Sequence, residues 1–393
     1  VGSYQGTWGA VAGHAEGDPD AAARQEIREE TGLDPEADLT FVRRGDSFEV
    51  PDEDQGRRWV VHPYLFDCAT RAVETNWESD ASEWVAPTAI RHRETVPDLW
   101  TSYDRVRPSV DTVAEESEHG AAYISVRALE VLRDEAAIAA DADDDWESLA
   151  DLALALREAR PSMPVVRNRI NRVMHAASDD HGPRAVEQAA SAGIQAALHA
   201  DERAARRAAE RIGDARVATL SRSGTVTTAL SLADTEAVLV AESRPGREGL
   251  AVAAELADEM DVTVTTDAAF AYVVDEWGAD AVLVGADAVR TDGAVVNKAG
   301  TRTAALSGTC EGIEVLVAAA IDKVAPEDRT DLEPRESDEV YESDADVRVR
   351  NPTFDVTPAE CVDAVVTESG VLDAEEVADV VAAHRERADW PSE

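Results

Sequence analysis

Beyond residue 212, short apolar runs alternate with helical stretches, and this alternation limits the possible folds more than any other feature of the chain. The repeat of roughly 20 to 30 residues is typical of βαβ units. Such units build a parallel, doubly wound sheet with helices on both faces. The predicted strands are Val217–Leu220, Ala237–Ala241, Val262–Thr265, Ala281–Val284 and Val315–Ala318. We therefore predict an α/β fold with a Rossmann-like domain over residues 213–393.

Polar residues follow several of these predicted strands. Ser221–Thr225 come after the first strand, Arg244 after the second, Asp287 after the fourth and Lys323 after the fifth. Ligands of doubly wound sheets bind outside the carboxyl ends of the strands. We therefore predict that hydroxyl groups, an arginine, a carboxylate and a lysine converge on one edge of the sheet.

The chain has two lysines, Lys298 and Lys323, among 37 basic residues, so 35 are arginine. Lysine carries a compact ammonium group suited to a phosphate or a proton-transfer site, whereas arginine carries a wide, permanently charged fork. A surface salt bridge in this chain could have used arginine. We interpret the two lysines as markers of a functional pocket.

The charge balance is strongly acidic, with 81 acidic and 37 basic residues and a net charge of -44. Such a surface suits a salt-rich cytoplasm, because the screening length falls to roughly 3 Å at molar ionic strength. We therefore expect a halophilic, cytoplasmic protein. The sequence has no lysine- or arginine-rich stripe that could replace the counterions of nucleic-acid phosphates, and this absence disfavours nucleic-acid binding. No apolar run reaches about 18 residues, so no membrane span is predicted.

Before residue 213 the sequence has two further regions with different residue patterns. Residues 1–105 are predicted to be a mixed domain in which one helix is capped by Asp18, starts at Pro19 and stops at Gly32. Residues 112–212 are predicted to be a helical subdomain. The clearest strands and helices are Leu39–Arg43, Trp59–Phe66, Ala121–Leu132, Trp146–Ala159 and Arg184–Ile212. The acidic stretch 327–346 lacks apolar periodicity and is predicted to be an exposed loop rather than part of a site.

The first predicted helix places Glu26, Glu29 and Glu30 on one face. Three carboxylates can hold Mg²⁺ and position a water against a diphosphate. The run GHAEGDPDAAARQEIREETGL resembles the box of Nudix hydrolases. The resemblance implies an α/β/α sandwich and hydrolysis of a nucleoside diphosphate derivative. Gln25 replaces the arginine of the pattern, and only twelve residues precede Gly13, so we expect a truncated start or an incomplete domain.

The second half carries the segments TLSRSGTVTTAL, ESRPGREGL, VLVGADAVRTDGAVVNKAGT and VLVAAAIDKVAP. In this order they resemble the superfamily of initiation factor 2B α, β and δ subunits, over residues from about 112 to 375. That superfamily includes methylthioribose-1-phosphate isomerase and ribose-1,5-bisphosphate isomerase. The resemblance implies a dimer or larger homo-oligomer and no cofactor for this domain. Partnership with initiation factor 2 is a weaker implication.

The resemblance also implies roles for single residues. In the isomerases a cysteine after the first strand and the aspartate of a GAD motif transfer the protons, and these positions are Ser221 and Asp287 here. A serine hydroxyl has a much higher pKa than a thiol, so it is a poorer acid or base. The phosphate-gripping Arg-Gly-Ala of the isomerases is replaced by His119, Gly120 and Ala121.

Three hypotheses follow. The first is a regulatory protein that binds a phosphorylated sugar or nucleotide, the second an aldose-ketose isomerase of a ribose phosphate, and the third a Mg²⁺-dependent Nudix hydrolase. The predicted ligand-binding residues are Arg222, Ser223, Gly224, Arg244, Asn297, Lys298, Lys323, His119 and Gly120.

Overall fold

The computed structural model describes residues 4, 6–15, 17–52, 56–77, 80–142, 144–327, 331–342 and 346–390. The chain divides into two compact units, Val1–Pro108 and Ser109–Glu393. Of the helices within the described ranges, none is both long enough and apolar enough to cross a membrane.

The first unit combines helices with short antiparallel strands. Its elements are α1 Pro19–Thr31, β1 Leu39–Arg44, β2 Phe48–Asp52, β3 Arg57–Val61, β4 Tyr64–Cys68 and α2 Leu99–Asp104. The predicted start and end of α1 are confirmed, because the Asp18 side chain accepts the N–H of Ala21 at 3.2 Å and Gly32 ends the helix at φ 71°.

The prediction of one strand over Trp59–Phe66 is wrong. Strand β3 pairs with β2, whereas β4 pairs with β1. Pro63 lies between β3 and β4 and has no N–H to give to a ladder, so the run breaks there. Its carbonyl instead accepts the N–H of Gly45 at 3.0 Å.

The second unit begins with a group of helices. They are α3 Val110–Glu115, α4 Ala121–Ala142, α5 Trp146–Ala159, α6 Pro164–Ala177 and α7 Pro183–Ile212. Their buried apolar faces form one core that also takes in Val296 and Phe354 from the following part of the chain. The helical part therefore shares its core with the strands that come after it.

The predicted parallel sheet is present, and one edge strand, the last in the chain, pairs with it in the antiparallel direction. Its strands are β5 Val217–Leu220, β6 Ala237–Ala241, β7 Asp261–Thr265, β8 Ala281–Gly285, β11 Glu314–Ala318, β13 Ala364–Thr367 and β14 Gly370–Leu372, and a smaller antiparallel sheet has β9 Ala288–Val289, β10 Val295–Lys298 and β12 Phe354–Thr357. The remaining helices are α8 Gly224–Leu232, α9 Glu248–Leu256, α10 Phe270–Glu276, α11 Thr301–Glu311 and α12 Ala374–Arg387. In β6, Val238 and Val240 enter one core and Leu239 the other, so both faces of the sheet are covered.

The strand order of the large sheet is β14-β13-β11-β8-β5-β6-β7. The chain runs from β5 outward to β7, then returns to β8 on the other side of β5. The order therefore reverses between β5 and β8, which pair in parallel. A crevice at such a switch point is where doubly wound folds bind their ligands.

Candidate functional site

The loop after β5 reaches the switch point with a constrained backbone. Ser221 is buried and has φ 57°, in the left-handed region, and its N–H donates to Ser243 Oγ at 2.7 Å. Ser223 caps α8. A β-carbon on Gly285, at the end of β8, would lie 2.5 Å from Ser223 Oγ, so glycine is required for the close approach of the two loops.

The loop after β6 is tied to its neighbours. The Asp267 carboxylate, just beyond β7, accepts the N–H groups of Ser243 at 2.8 Å and Arg244 at 2.6 Å. Because Ser243 also binds Ser221, the loops after β5, β6 and β7 form one connected edge. The Arg244 side chain is 56% exposed and its Nε donates to Glu242 at 3.1 Å. Arg222 is also exposed.

Asp287 lies just past β8 and is buried. Its N–H donates to the Val296 carbonyl at 2.9 Å, which fixes the backbone. Burial raises the pKa of the Asp287 carboxyl, Lys323 and Lys298 act in the opposite direction, and Glu333 adds to the rise. The carboxyl has no hydrogen-bond or ion-pair partner within the described ranges. It is therefore available to a ligand.

Lys323 is 4% exposed and lies in a 3-10 turn, Ile321–Lys323. Burial lowers its pKa, and Asp287 counteracts the fall. The residue before it, Asp322, is held by Arg169 Nε at 3.1 Å, and its carbonyl accepts from Asn168 Nδ2 at 2.8 Å. The turn is thus anchored on α6. In the described part of the chain, the Lys323 ammonium has no acceptor of its own.

Lys298 ends β10 and forms an ion pair with Glu248. The second oxygen of that carboxylate, Glu248 Oε2, is buried without a hydrogen-bond partner in the described structure. Asn297 is buried and donates to Thr301 Oγ1 at 2.9 Å. Both residues therefore lie at the end of a strand whose Val296 carbonyl accepts the N–H of Asp287, and Glu248 already neutralises Lys298.

Arg160 and Glu333 join this site although the sequence analysis did not assign them. Arg160 Nη2 lies 3.3 Å from both carboxylate oxygens of Glu333, and both side chains act on the pKa of Asp287. The prediction that the stretch 327–346 is only an exposed loop is therefore wrong at Glu333. An arginine directly after α5 and before a proline was the available signal for Arg160.

His119 and Gly120 precede α4 and border the same region through Glu116. The His119 ring stacks on Tyr123 with centroids 4.0 Å apart, and the backbone N–H of His119 donates to Glu116 Oε1 at 3.1 Å. Arg160 donates to the Glu116 carbonyl. His119 and Arg160 thus both contact Glu116, so His119 helps to position Arg160.

The three glutamates of α1 are not gathered into a cluster. Glu26 packs against Gly13, and Glu29 accepts from Gln25 Nε2 at 2.7 Å. Among the described residues, no group of three or more His, Cys, Asp or Glu side chains is placed to hold a metal ion. No chemical step is therefore assigned below to Mg²⁺ at Glu26, Glu29 and Glu30.

The seven-stranded sheet, with its order reversing between β5 and β8, defines the second unit as a doubly wound α/β domain. The chain belongs to the initiation factor 2 subunit family, whose sequence profile matches residues 117–374. The profile of the NUDIX domain matches residues 2–106.

The known proteins similar to this chain include sugar-phosphate isomerases and translation initiation factors. It is 35% identical to a ribose 1,5-bisphosphate isomerase of Haloferax volcanii over 70% of this chain and 92% of that protein. It is 38% identical to a methylthioribose-1-phosphate isomerase of Pseudomonas fluorescens over 36% of this chain and 43% of that protein. The solved translation initiation factor eIF-2B of Pyrococcus horikoshii matches with TM-score 0.58 and 27% identity, over 67% of this chain and 94% of that one.

Proposed function

We propose that the second unit binds a phosphorylated pentose at the switch point and isomerises it from aldose to ketose. The observation that supports this most directly is the buried Asp287 carboxyl. It has no hydrogen-bond or ion-pair partner within the described ranges, and the charges of Lys323 and Lys298 act on its pKa. A buried acid with a raised pKa is typical of a proton-transfer group. The isomerases among the similar proteins act on sugar phosphates, by their names.

The reaction of a 1-phosphorylated pentose moves a hydrogen from C2 to C1 and a proton from the C2 hydroxyl to the ring oxygen. Burial keeps the Asp287 carboxyl protonated to higher pH, so it is suited to protonate the ring oxygen as the ring opens. The Lys323 ammonium is suited to stabilise the negative charge that develops on O2. The phosphate would bind near Lys298 and the N–H groups that begin α8.

A second candidate is a regulatory protein that binds the same ligand without turning it over. Ser221 favours this candidate, because it supplies a hydroxyl where the resembling isomerases have a thiol. A hydroxyl is the weaker acid or base at neutral pH, so hydrogen transfer at carbon would be slow.

The test incubates the protein in about 2 M KCl, where surface charge is screened, with ribose 1,5-bisphosphate and with methylthioribose 1-phosphate. Ketose formation is followed by ¹³C NMR. We expect the Asp287→Asn variant to bind ligand and form no ketose, and the matched exposed control Asp258→Asn to behave like the wild type. Ligand binding without any ketose in the wild type would refute isomerisation and favour the regulatory candidate.

A further inference from the structure

Glu333 is held in an unusual backbone conformation next to the site. Its φ is 42°, a region that residues other than glycine seldom adopt unless their surroundings fix them. Its N–H donates to Asp331 Oδ1 at 3.0 Å. The carbonyl of Leu332 accepts the N–H of Thr353 at 3.0 Å, which ties the turn to the entry of β12. The backbone thus aims the Glu333 side chain in one direction.

That side chain meets a ready set of anion-binding donors. Arg160 Nη2 contacts both oxygens at 3.3 Å, and Ser162 Oγ donates to Oε1. The Arg160 side chain is 11% exposed and the Glu333 side chain 29%, so the guanidinium is largely buried and the carboxylate partly buried. A guanidinium and a hydroxyl are the donors that proteins use to hold phosphate oxygens. The Glu333 carboxylate therefore lies where an anionic group of a ligand could bind.

Lys298 and Arg335, which both contact Glu248, are also paired with carboxylates. Lys298 is paired with Glu248, and Arg335 with Glu339 at 2.7 Å. Of the three cations that act on the pKa of Asp287, which are Lys298, Lys323 and Arg160, Lys323 is the one without a carboxylate in contact among the described residues. Since each phosphate group brings close to two negative charges, a single unmatched cation suits a ligand with one phosphate group better than a ligand with two.

Resting on the proposed function, we infer that Glu333 is a specificity-determining residue whose carboxylate fills the anion subsite of Arg160 and Ser162. The site then takes a pentose that carries one phosphate group and disfavours a pentose that carries two. A second phosphate would have to displace Glu333 or lie against it.

The test measures binding by calorimetry in about 2 M KCl, a salt level that screens the surface. The ligands are ribose 1-phosphate, ribose 5-phosphate and ribose 1,5-bisphosphate. We expect the wild type to bind the better monophosphate at least as tightly as the bisphosphate. Glu333→Gln and Glu333→Ala should shift the affinity ratio toward the bisphosphate by about tenfold, the usual effect of one charged hydrogen bond. Glu336→Gln removes the same charge from an exposed neighbour and should leave the ratio unchanged.

Two results would overturn the inference: a wild type that binds the bisphosphate more than about tenfold tighter than either monophosphate, or a ratio that neither Glu333 variant changes. The glutamine of Glu333→Gln retains a side-chain oxygen that can accept the hydrogen bond of Ser162, so this variant can still be measured if Glu333→Ala does not fold. Ketose formation from each ligand separates this inference from the proposed function. Preferred turnover of the bisphosphate refutes the inference alone, and one-phosphate binding without ketose refutes isomerisation alone. Failure of all three ligands to bind refutes both.

Discussion

The two lysines should respond in opposite ways to replacement by methionine, which keeps the length of the side chain and removes its charge. Lys323 is 4% exposed and has no acceptor in the described structure, whereas Lys298 is paired with Glu248. We expect Lys323→Met to weaken ligand binding without loss of stability. We expect Lys298→Met to lower stability as well.

The magnitudes follow from what each ammonium contacts. A ligand that loses a charged hydrogen bond from one of its oxygens to Lys323 should bind with about 1.5–3 kcal/mol less free energy, or about 10- to 150-fold more weakly. Methionine removes a buried charge whose pKa is lowered by burial, so the free energy of unfolding should stay constant or rise. Lys298→Met instead leaves Arg335 Nη1, at 3.9 Å from Oε1, as the remaining ion-pair contact of the Glu248 carboxylate, whose Oε2 already lacks a hydrogen-bond partner, so we expect a cost of about 1–3 kcal/mol.

The assay is urea unfolding followed by circular dichroism, together with calorimetric titration of ribose 1-phosphate, on the wild type and both variants in the same high-salt buffer. If Lys323→Met unfolds at a lower urea concentration than Lys298→Met, Lys323 stabilises the fold and the reasoning fails. Unchanged ligand affinity in Lys323→Met would also refute it.

Two further predictions concern the proton-transfer groups. Ser221→Cys supplies a thiol and should raise ketose formation about tenfold or more, measured by NMR; an unchanged rate would exclude Ser221 from the reaction. The second concerns pH. Burial raises the folded-state pKa of Asp287 above the ordinary 3.8, so its contribution to stability is present below that value and is lost as pH rises through the raised pKa. In urea unfolding at several pH values, the wild type should lose stability across this window relative to Asp287→Asn, and parallel curves would contradict the assignment.

The parts of the fold that the sequence predicted best are strands covered on both faces. Strands β5 and β6 begin and end where predicted, because a strand buried on both sides is a continuous apolar run. Helix α4 continues to Ala142, ten residues past the predicted end at Leu132. The added segment, RDEAAIAADA, is rich in alanine and charge, so its helical propensity is high although its apolar spacing is weak.

The site was predictable only where a residue follows a strand. Asp287 and Lys323 could be assigned because the carboxyl ends of parallel strands meet at one edge. The pairing of Arg160 with Glu333 could not, because 173 positions separate them in the sequence. The Glu333 carboxylate lies in an acidic stretch whose composition is shared by most of the surface of this chain. Which of many carboxylates meets a buried guanidinium is decided by tertiary packing, which local patterns do not encode.

Positioning of Lys323 depends on the helices as much as on the sheet. The turn that carries it follows β11, yet its carbonyl and carboxylate contacts at Asp322 come from Asn168 and Arg169 on α6. Arg169 is itself fixed by Ser125 at 2.8 Å and by the Asp201 carboxylate at 3.2 Å. A shift of α6 would therefore move the ammonium relative to Asp287, which is set by β8. Because Asp287 is fixed by the sheet and Lys323 by the helices, the packing of the helices on the sheet determines the distance between the two side chains.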